Sequence, residues 1–208
     1  LLLLLFLIAQ SHQCCRRKFS LSILGLVPAK KTIYLSVILS TLIFSSIIHG
    51  AAAEPSLFQA ISERLSYMED VGAYKAQNKI PVEDDEREKI VLSKAKELAA
   101  AHGLDHNSME RFFIAQISAA KAIQYRYRAE LLTRVIPTRP IDLQSDIRPE
   151  LDRLDSDIVK LFATALQSRS AIAEERRERF MSTLKSRLLV DAEREALFDA
   201  MLEVRRSQ

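Results

Sequence analysis

A proline between two helical patterns most limits how this chain can fold. Apolar residues recur at helical spacing before it, at Leu57, Ile61, Leu65, Met68 and Val71. Pro81 then disfavours helical backbone at the residue before it. Asp84 is a good N-cap for a new helix. The acids that follow it suit the positive end of the helix dipole in the first turn. The sequence therefore predicts a helix, a tight corner and a second helix.

The composition extends this helical character along the whole chain. Its 208 residues include only 4 glycines and no tryptophan, and Ala, Leu, Glu, Lys and Arg dominate. That usage is typical of α-helical proteins. We expect an all-α fold, a single-domain bundle of about six helices, with segments near 56–78, 85–102, 105–134, 145–167, 171–188 and 191–204.

Polar residues and glycine mark the ends of these segments. Ser56 with Gln59 is expected to form a capping box for the first helix. Gly103 should stop the second helix, and Asp105 should cap the third. We expect Ser145 or Asp146 to cap the fourth helix, with Pro149 tolerated in its first turn.

The N-terminal region has the pattern of an export signal. Lys30-Lys31 is a basic start, residues 33–48 are apolar, and Ala51-Ala52-Ala53 precedes Glu54, so we expect cleavage after Ala53. The alternative is a membrane anchor. The apolar run spans about 16 residues, however, and a membrane helix needs roughly 20.

This signal divides the chain into an upstream leader (1–29), a signal peptide (30–53), a helical core (54–160) and C-terminal helices of the same domain (161–208). The protein should be periplasmic or secreted, without membrane association after cleavage. Both cysteines precede the cleavage site, so the mature chain would contain no disulfide. A net charge of only +3 does not by itself imply a polyanion-binding surface, and we expect no nucleic-acid partner.

Cations gather around the helix–corner–helix stretch. Arg64 and Lys75 are eleven positions apart, which places them within roughly 20° on one helix face and about 16 Å apart along the axis. The corner should bring Lys75 and Arg87 close to free backbone N–H groups of the second helix. The stretch therefore predicts an anion site at the edge of the core.

Other candidates carry a plainer interpretation as well. Gln124 interrupts an apolar stripe on the third helix, and it is either a core amide bonded to a neighbouring helix or a ligand contact. Lys121 lies on another side and is expected to be solvated. His102 and His106 do not share a helix face, so we expect no metal site there. Arg176, Arg177 and Arg179 are interpreted as a solvated face.

Three segments together resemble the signature of the exported all-helical (AroQ-type) chorismate mutases. They are Arg64 with Lys75 in Ala-Tyr-Lys, the run Val82-Glu-Asp-Asp-Glu-Arg-Glu88, and the run from Ala119 to Arg128 that contains Gln124. The resemblance covers residues 56–160. It implies a chorismate mutase II-like fold, conversion of chorismate to prephenate without a cofactor, and a homodimer.

The resemblance also implies roles for particular residues. Arg64 and Arg148 would clamp substrate carboxylates, with Arg87 as a third cation. Lys75 and Gln124 would donate to the ether oxygen. Glu88 would accept the ring hydroxyl, assisted by backbone around Asp84, whose side chain mainly caps its helix.

Two positions depart from the family pattern. Ala120 and Val91 stand where many relatives carry polar side chains, so weaker substrate contacts are expected there. The alternative function from another class is an exported helical bundle that binds a partner protein or a small anion without catalysis.

Overall fold

The computed structural model describes residues 49–133, 141–167 and 172–208. The predicted leader and most of the predicted signal peptide lie outside these residues. The described chain forms helices and helical turns in this order: α1 (His49–Ser66), α2 (Met68–Gln77), α3 (Asp85–Ala101), α4 (His106–Leu131), a π-helical turn (Leu143–Ile147), α5 (Arg148–Ala165), a 3-10 turn (Glu174–Arg176), α6 (Arg177–Thr183) and α7 (Asp191–Leu202).

The all-α fold class is confirmed. Extended pairing in the described part of the chain is limited to a single bridge between Leu104 and Arg206. No described helix combines the length and apolar character needed to cross a membrane.

The predicted first helix is divided into α1 and α2 at Tyr67. Tyr67 keeps nearly helical dihedral angles, φ −71° and ψ −12°, and its carbonyl accepts a hydrogen bond from the Val71 N–H at 3.0 Å. The two segments therefore form one nearly continuous helix, and counting them together gives the expected six. The predicted start at Ser56 is wrong, because helical backbone already begins at His49 and alanines at 51–53 favour it.

The caps that set the ends of α3 and the start of α4 are confirmed. The Asp84 carboxylate accepts from the Arg87 N–H at 3.2 Å, and the Asp105 carboxylate accepts from the Ser108 N–H at 2.8 Å. Gly103 adopts φ +69° just after α3, a conformation that favours glycine. The third predicted helix, α4, ends at Leu131, slightly before its predicted end near residue 134.

The start of the fourth predicted helix differs from expectation. Asp142, rather than Ser145 or Asp146, provides the cap, and its carboxylate accepts from the N–H groups of Gln144 and Ser145 at 2.8 Å each. A π-helical turn follows before α5 begins. Pro149 does lie in the first turn of α5, as predicted.

The fifth predicted helix, 171–188, is wrong in length. The structure has a 3-10 turn and a short α6 that ends at Thr183. Leu184 then takes extended backbone with ψ 102°, and Leu184, Leu188 and Leu189 are buried. Burial of these leucines as an irregular segment outweighs their helix propensity. The sixth helix, α7, agrees with the predicted segment.

Phenylalanine side chains join the C-terminal segments to the rest of the core. Phe58 on α1 lies edge-on to Phe180 on α6, with ring centroids 5.2 Å apart, and Phe180 lies 5.3 Å from Phe198 on α7. Phe112 on α4 meets Phe162 on α5 at 4.7 Å. These contacts join α1 to α6 and α7, and α4 to α5.

Candidate active site

A single pocket collects the residues that the sequence analysis assigned to the site. It contains about 620 Å³ of empty space, part of it open to solvent. Its wall includes all seven predicted site residues: Arg64, Lys75, Asp84, Arg87, Glu88, Gln124 and Arg148. Val91 and Ala120, the two departures from the family pattern, also line it. These residues come from α1 to α5 of one chain.

Gly72 allows α2 and α4 to approach closely at the pocket. A Cβ atom at this position would lie 3.3 Å from the Gln124 Cα and 3.4 Å from the Gln124 carbonyl oxygen. The first distance is tighter than ordinary van der Waals contact, so with a side chain here the backbone of α4 would have to shift by a few tenths of an ångström. The absence of a Cβ therefore helps to set the position of Gln124.

Lys75 is a buried ammonium beside the pocket. The residue is only 5% exposed, and its Nζ donates to the Val82 carbonyl at 2.6 Å. Burial lowers the pKa of Lys75; the Asp84 carboxylate opposes this shift, and the nearby Arg148 guanidinium reinforces it. An ammonium has three donors, so Lys75 can hold the corner at Val82 and still donate to a ligand.

Arg64 forms an ion pair with a buried acid on α5. Its Nε donates to Asp155 Oδ1 at 2.5 Å, and the two residues are only 5% and 6% exposed. Within the described residues the buried Nη1 of Arg64 has no hydrogen-bond partner. An unsatisfied charged donor in the interior is costly, so a ligand anion would stabilise this arrangement.

Gln124 is a buried amide with one side unsatisfied. Its Nε2 donates to the Ala120 carbonyl at 3.2 Å and lies 3.7 Å from the Met68 sulfur. Its Oε1 is buried and has no partner among the described residues. The amide oxygen is therefore unsatisfied, and the neighbouring helix α2 contributes only the contact with the Met68 sulfur, so the interpretation of Gln124 as a core amide satisfied by a neighbouring helix is not supported.

The two other arginines are held by carboxylates at the pocket. Arg148 Nη2 lies 3.3 Å from Asp84 Oδ2, and its Nη1 donates to Gln144 Oε1 at 2.8 Å. Arg87 Nη2 donates to Asp152 Oδ1 at 2.5 Å. Burial alone would raise the pKa of Asp152, but hydrogen bonds from Lys94 and Arg87 hold it below its ordinary value.

The prediction that Lys121 lies on a solvated face is wrong. The residue lines the pocket, and its Nζ lies 3.1 Å from Glu88 Oε1 and 3.2 Å from Glu88 Oε2. The helical position of Lys121 does point to one side of the apolar stripe. Its long side chain nevertheless reaches the carboxylate on α3 while the stem covers the pocket rim.

Sequence reasoning also missed two acids on α5. Arg148, Leu151, Asp152 and Asp155 follow the spacing i, i+3, i+4 and i+7, which places them on one helix face. Searching for acids at helical spacing from Arg148 would have found both. Among the described residues, no group of three or more His, Cys, Asp or Glu side chains is arranged to hold a metal ion.

Comparisons with known proteins place this chain in a family. The profile described as chorismate mutase type II matches residues 53–125. A Yersinia pestis protein named secreted chorismate mutase is 37% identical over 148 residues, which cover 70% of this chain and 78% of the relative. The chain belongs to the type II chorismate mutases. Its predicted function as an enzyme of this family is confirmed, and the alternative of a non-catalytic bundle is not supported.

Further relatives and solved structures agree with this family assignment. A monofunctional chorismate mutase of Enterobacter agglomerans is 32% identical over 151 residues, which cover 73% of this chain and 83% of the relative. The crystal structure of the secreted chorismate mutase from Yersinia pestis has a TM-score of 0.69 at 35% identity, covering 73% of this chain and 97% of that one. A chorismate mutase structure from Burkholderia thailandensis has a TM-score of 0.59 at 29% identity, covering 71% and 96%.

Proposed function

We propose that the pocket converts chorismate to prephenate by holding one conformer of the substrate among fixed cations. The observation that carries the proposal is the buried, unpartnered Nη1 of Arg64 in a wall that also contains Lys75, Arg87 and Arg148. Such a wall suits a small dianion. The unsatisfied guanidinium nitrogen marks where one of its carboxylates would bind.

The reaction explains why these side chains suffice. Chorismate carries two carboxylates, a ring hydroxyl and an ether bridge, and its rearrangement is intramolecular. It requires neither a nucleophile nor a proton donor. The enzyme contributes by selecting the compact reactive conformer and by stabilising negative charge that develops on the ether oxygen.

The carboxylate clamps would be Arg64 and Arg148. Arg64 enters from α1 and Arg148 from the start of α5, so the two guanidinium groups approach the pocket from different helices. Arg87 would be a third cation that adds positive potential. Because their acidic partners Asp155, Asp84 and Asp152 already fix all three guanidinium groups, little reorganisation is required when substrate binds.

Lys75 and Gln124 would donate to the ether oxygen. Lys75 already points one donor at the Val82 carbonyl and retains others. The amide nitrogen of Gln124 is turned toward the Ala120 carbonyl. Donation to the substrate therefore requires rotation of the side-chain amide, which would also move the unsatisfied Gln124 oxygen from its present position.

Glu88 would accept the ring hydroxyl, assisted by the backbone around Asp84. Lys121 bridges both oxygens of Glu88 and would keep this carboxylate at the pocket wall. Val91 and Ala120 contribute only apolar surface to the pocket, so substrate contacts at those places are weaker than where a relative carries a polar side chain.

Turnover of chorismate tests this proposal directly. Purified mature protein is mixed with chorismate, loss of its ultraviolet absorbance is followed, and prephenate is identified by NMR. We expect turnover by the wild type and a loss of about 100-fold or more in the Arg64→Ala variant. Arg153→Ala removes an exposed arginine of α5 that pairs with Glu150 and Asp157 outside the pocket. This control should retain wild-type turnover, and an inactive wild type would refute the proposal.

The enzyme acts outside the cytoplasm in this proposal. Relatives from Yersinia pestis and Mycobacterium tuberculosis are named secreted chorismate mutases. Cleavage after Ala53 would leave intact the part of α1 from Leu57 onward, whose apolar side chains are buried. We also infer a homodimer, free of nucleic acid and membrane, and sedimentation of the mature protein at twice the protomer mass is the expected result.

A further inference from the structure

We infer that Asp155 is a positioning residue for substrate binding, and that it acts through Arg64. This inference rests on the proposed function of the pocket. Asp155 is not among the residues that line the pocket, so it would not touch the substrate. Its only route to the reaction would be the guanidinium that it holds.

The geometry of the pair sets the direction of Arg64. The guanidinium is planar and rigid, so fixing its Nε–H on Asp155 at 2.5 Å also limits where its two other nitrogens lie. Asp155 occupies the Nε side, while Nη1 is buried without a partner in the described part of the chain. The acid therefore leaves one guanidinium nitrogen available to a ligand and restricts its rotation.

Burial strengthens this interpretation. Both residues are more than nine-tenths buried, at the place where α1 packs against α5. A buried ion pair is often replaceable by apolar residues without loss of stability. Fold stability alone therefore does not require an acid here, whereas a ligand-binding guanidinium does require a partner that orients it.

The position of Asp155 on α5 connects it to the other clamps. It lies two helical turns after Arg148 on the same face, and Asp152 of that face holds Arg87. One face of α5 thus supplies Arg148 directly and fixes Arg64 and Arg87 through acids. This helix would set the spacing between the cations that meet the two carboxylates.

Steady-state kinetics of Asp155→Asn tests the inference. Asparagine keeps the size of the side chain and one acceptor for Nε but loses the charge. We expect KM for chorismate to rise about tenfold, because a guanidinium bonded to a neutral amide oxygen is held less firmly than one paired with a carboxylate, with a smaller change in kcat. A merely structural role would lower the amount of folded enzyme, and kcat would then fall at unchanged KM.

A matched control and a double variant sharpen the result. Asp157→Asn makes the same change on the same helix at an acid that pairs with Arg153 and Lys160 outside the pocket. Its KM should stay within about twofold of wild type. In an Arg64→Gln background, Asp155→Asn should lower kcat/KM by less than about twofold, since residues that act together are not additive. A tenfold loss in that background would overturn the inference.

The outcomes separate this inference from the proposed function. A wild type without chorismate turnover refutes the proposed function. An active wild type with unchanged KM in folded Asp155→Asn refutes the role of Asp155 alone. Should the asparagine variant fail to fold, Asp155→Glu keeps the charge and moves the carboxylate by one methylene. We expect KM to rise there too, and an unchanged KM would overturn the inference.

Discussion

Replacing Gln124 with glutamate changes the proposed ether-oxygen donor into a group that titrates. The amide donates its N–H at every ordinary pH. A carboxyl group donates only when protonated, and its unperturbed pKa in glutamate is about 4.3. At neutral pH the ionised variant would face the negative charge that develops on the ether oxygen. We therefore expect Gln124→Glu to be poor near pH 7 and to recover as the pH falls.

The structure sets the size and the pH range of this effect. Loss of one preorganised donor typically lowers turnover about 100-fold. Gln124 is only 5% exposed, and its nitrogen lies 3.2 Å from the Ala120 carbonyl oxygen. Burial and the nearby carbonyl oxygen both raise the pKa of a glutamate at this position, whereas Lys75 lowers it. We expect the first two effects to be larger, so turnover of the variant should begin to recover above pH 4.3. Turnover should rise about tenfold for each unit of falling pH until the group is half protonated.

A pH series of turnover on wild type and variant provides the assay, with folding checked by circular dichroism. Wild-type turnover should be flat across neutral pH, because the amide of Gln124 does not titrate. Gln59→Glu, at an exposed position of α1, makes the same change outside the pocket and should follow the wild-type profile. If Gln124→Glu matches the wild type at neutral pH, Gln124 is a packing residue and the assignment of the ether-oxygen donors is wrong.

Three further predictions concern protonation, subunit autonomy and export. Burial lowers the pKa of Lys75 from its ordinary 10.5, so wild-type kcat/KM should fall as Lys75 loses its proton below pH 10.5. A midpoint at or above 10.5 would contradict this. Arg64 and Arg148 line one pocket of the same chain, so mixing Arg64→Ala and Arg148→Ala proteins under subunit exchange should restore no activity. Substantial recovery would show a shared site. N-terminal sequencing of exported protein should begin at Glu54, and an intact Lys30-Lys31 would reject the cleavage site.

Local rules predicted the parts of the fold that local interactions decide. Asp84 and Asp105 cap their helices because a carboxylate satisfies free N–H groups nearby in sequence. Gly103 ends α3 because it adopts a positive φ. Each of these signals acts within a few residues, and each is confirmed.

Tertiary burial decided the parts that sequence reasoning missed. Leu184, Leu188 and Leu189 have good helix propensity, yet they are buried as an irregular segment beyond α6. The π-helical turn before α5 likewise replaced a simple cap at Ser145 or Asp146. Propensity is a weak signal when packing against other helices offers more burial.

The site was predictable where a residue type and its spacing carried the signal. The resemblance marked seven residues that all line one pocket. Helical periodicity predicts Lys121 on a solvated side of its helix, but the long side chain of Lys121 reaches the Glu88 carboxylate at the pocket. Asp155 carried no motif, since its importance depends on Arg64, which is distant in sequence and becomes adjacent only when α1 packs against α5.

The binding mode of substrate can be tested with a crystal structure that contains a bicyclic dicarboxylate mimicking the compact transition state. We expect the analogue to occupy the pocket between α1 and α5, with one carboxylate on Arg64 Nη1 and the other on Arg148. Lys75 Nζ and the rotated Gln124 amide should donate to the ether oxygen of the analogue. An analogue bound elsewhere, or one that leaves Arg64 Nη1 without a carboxylate, would show that these residues do not hold the substrate as proposed.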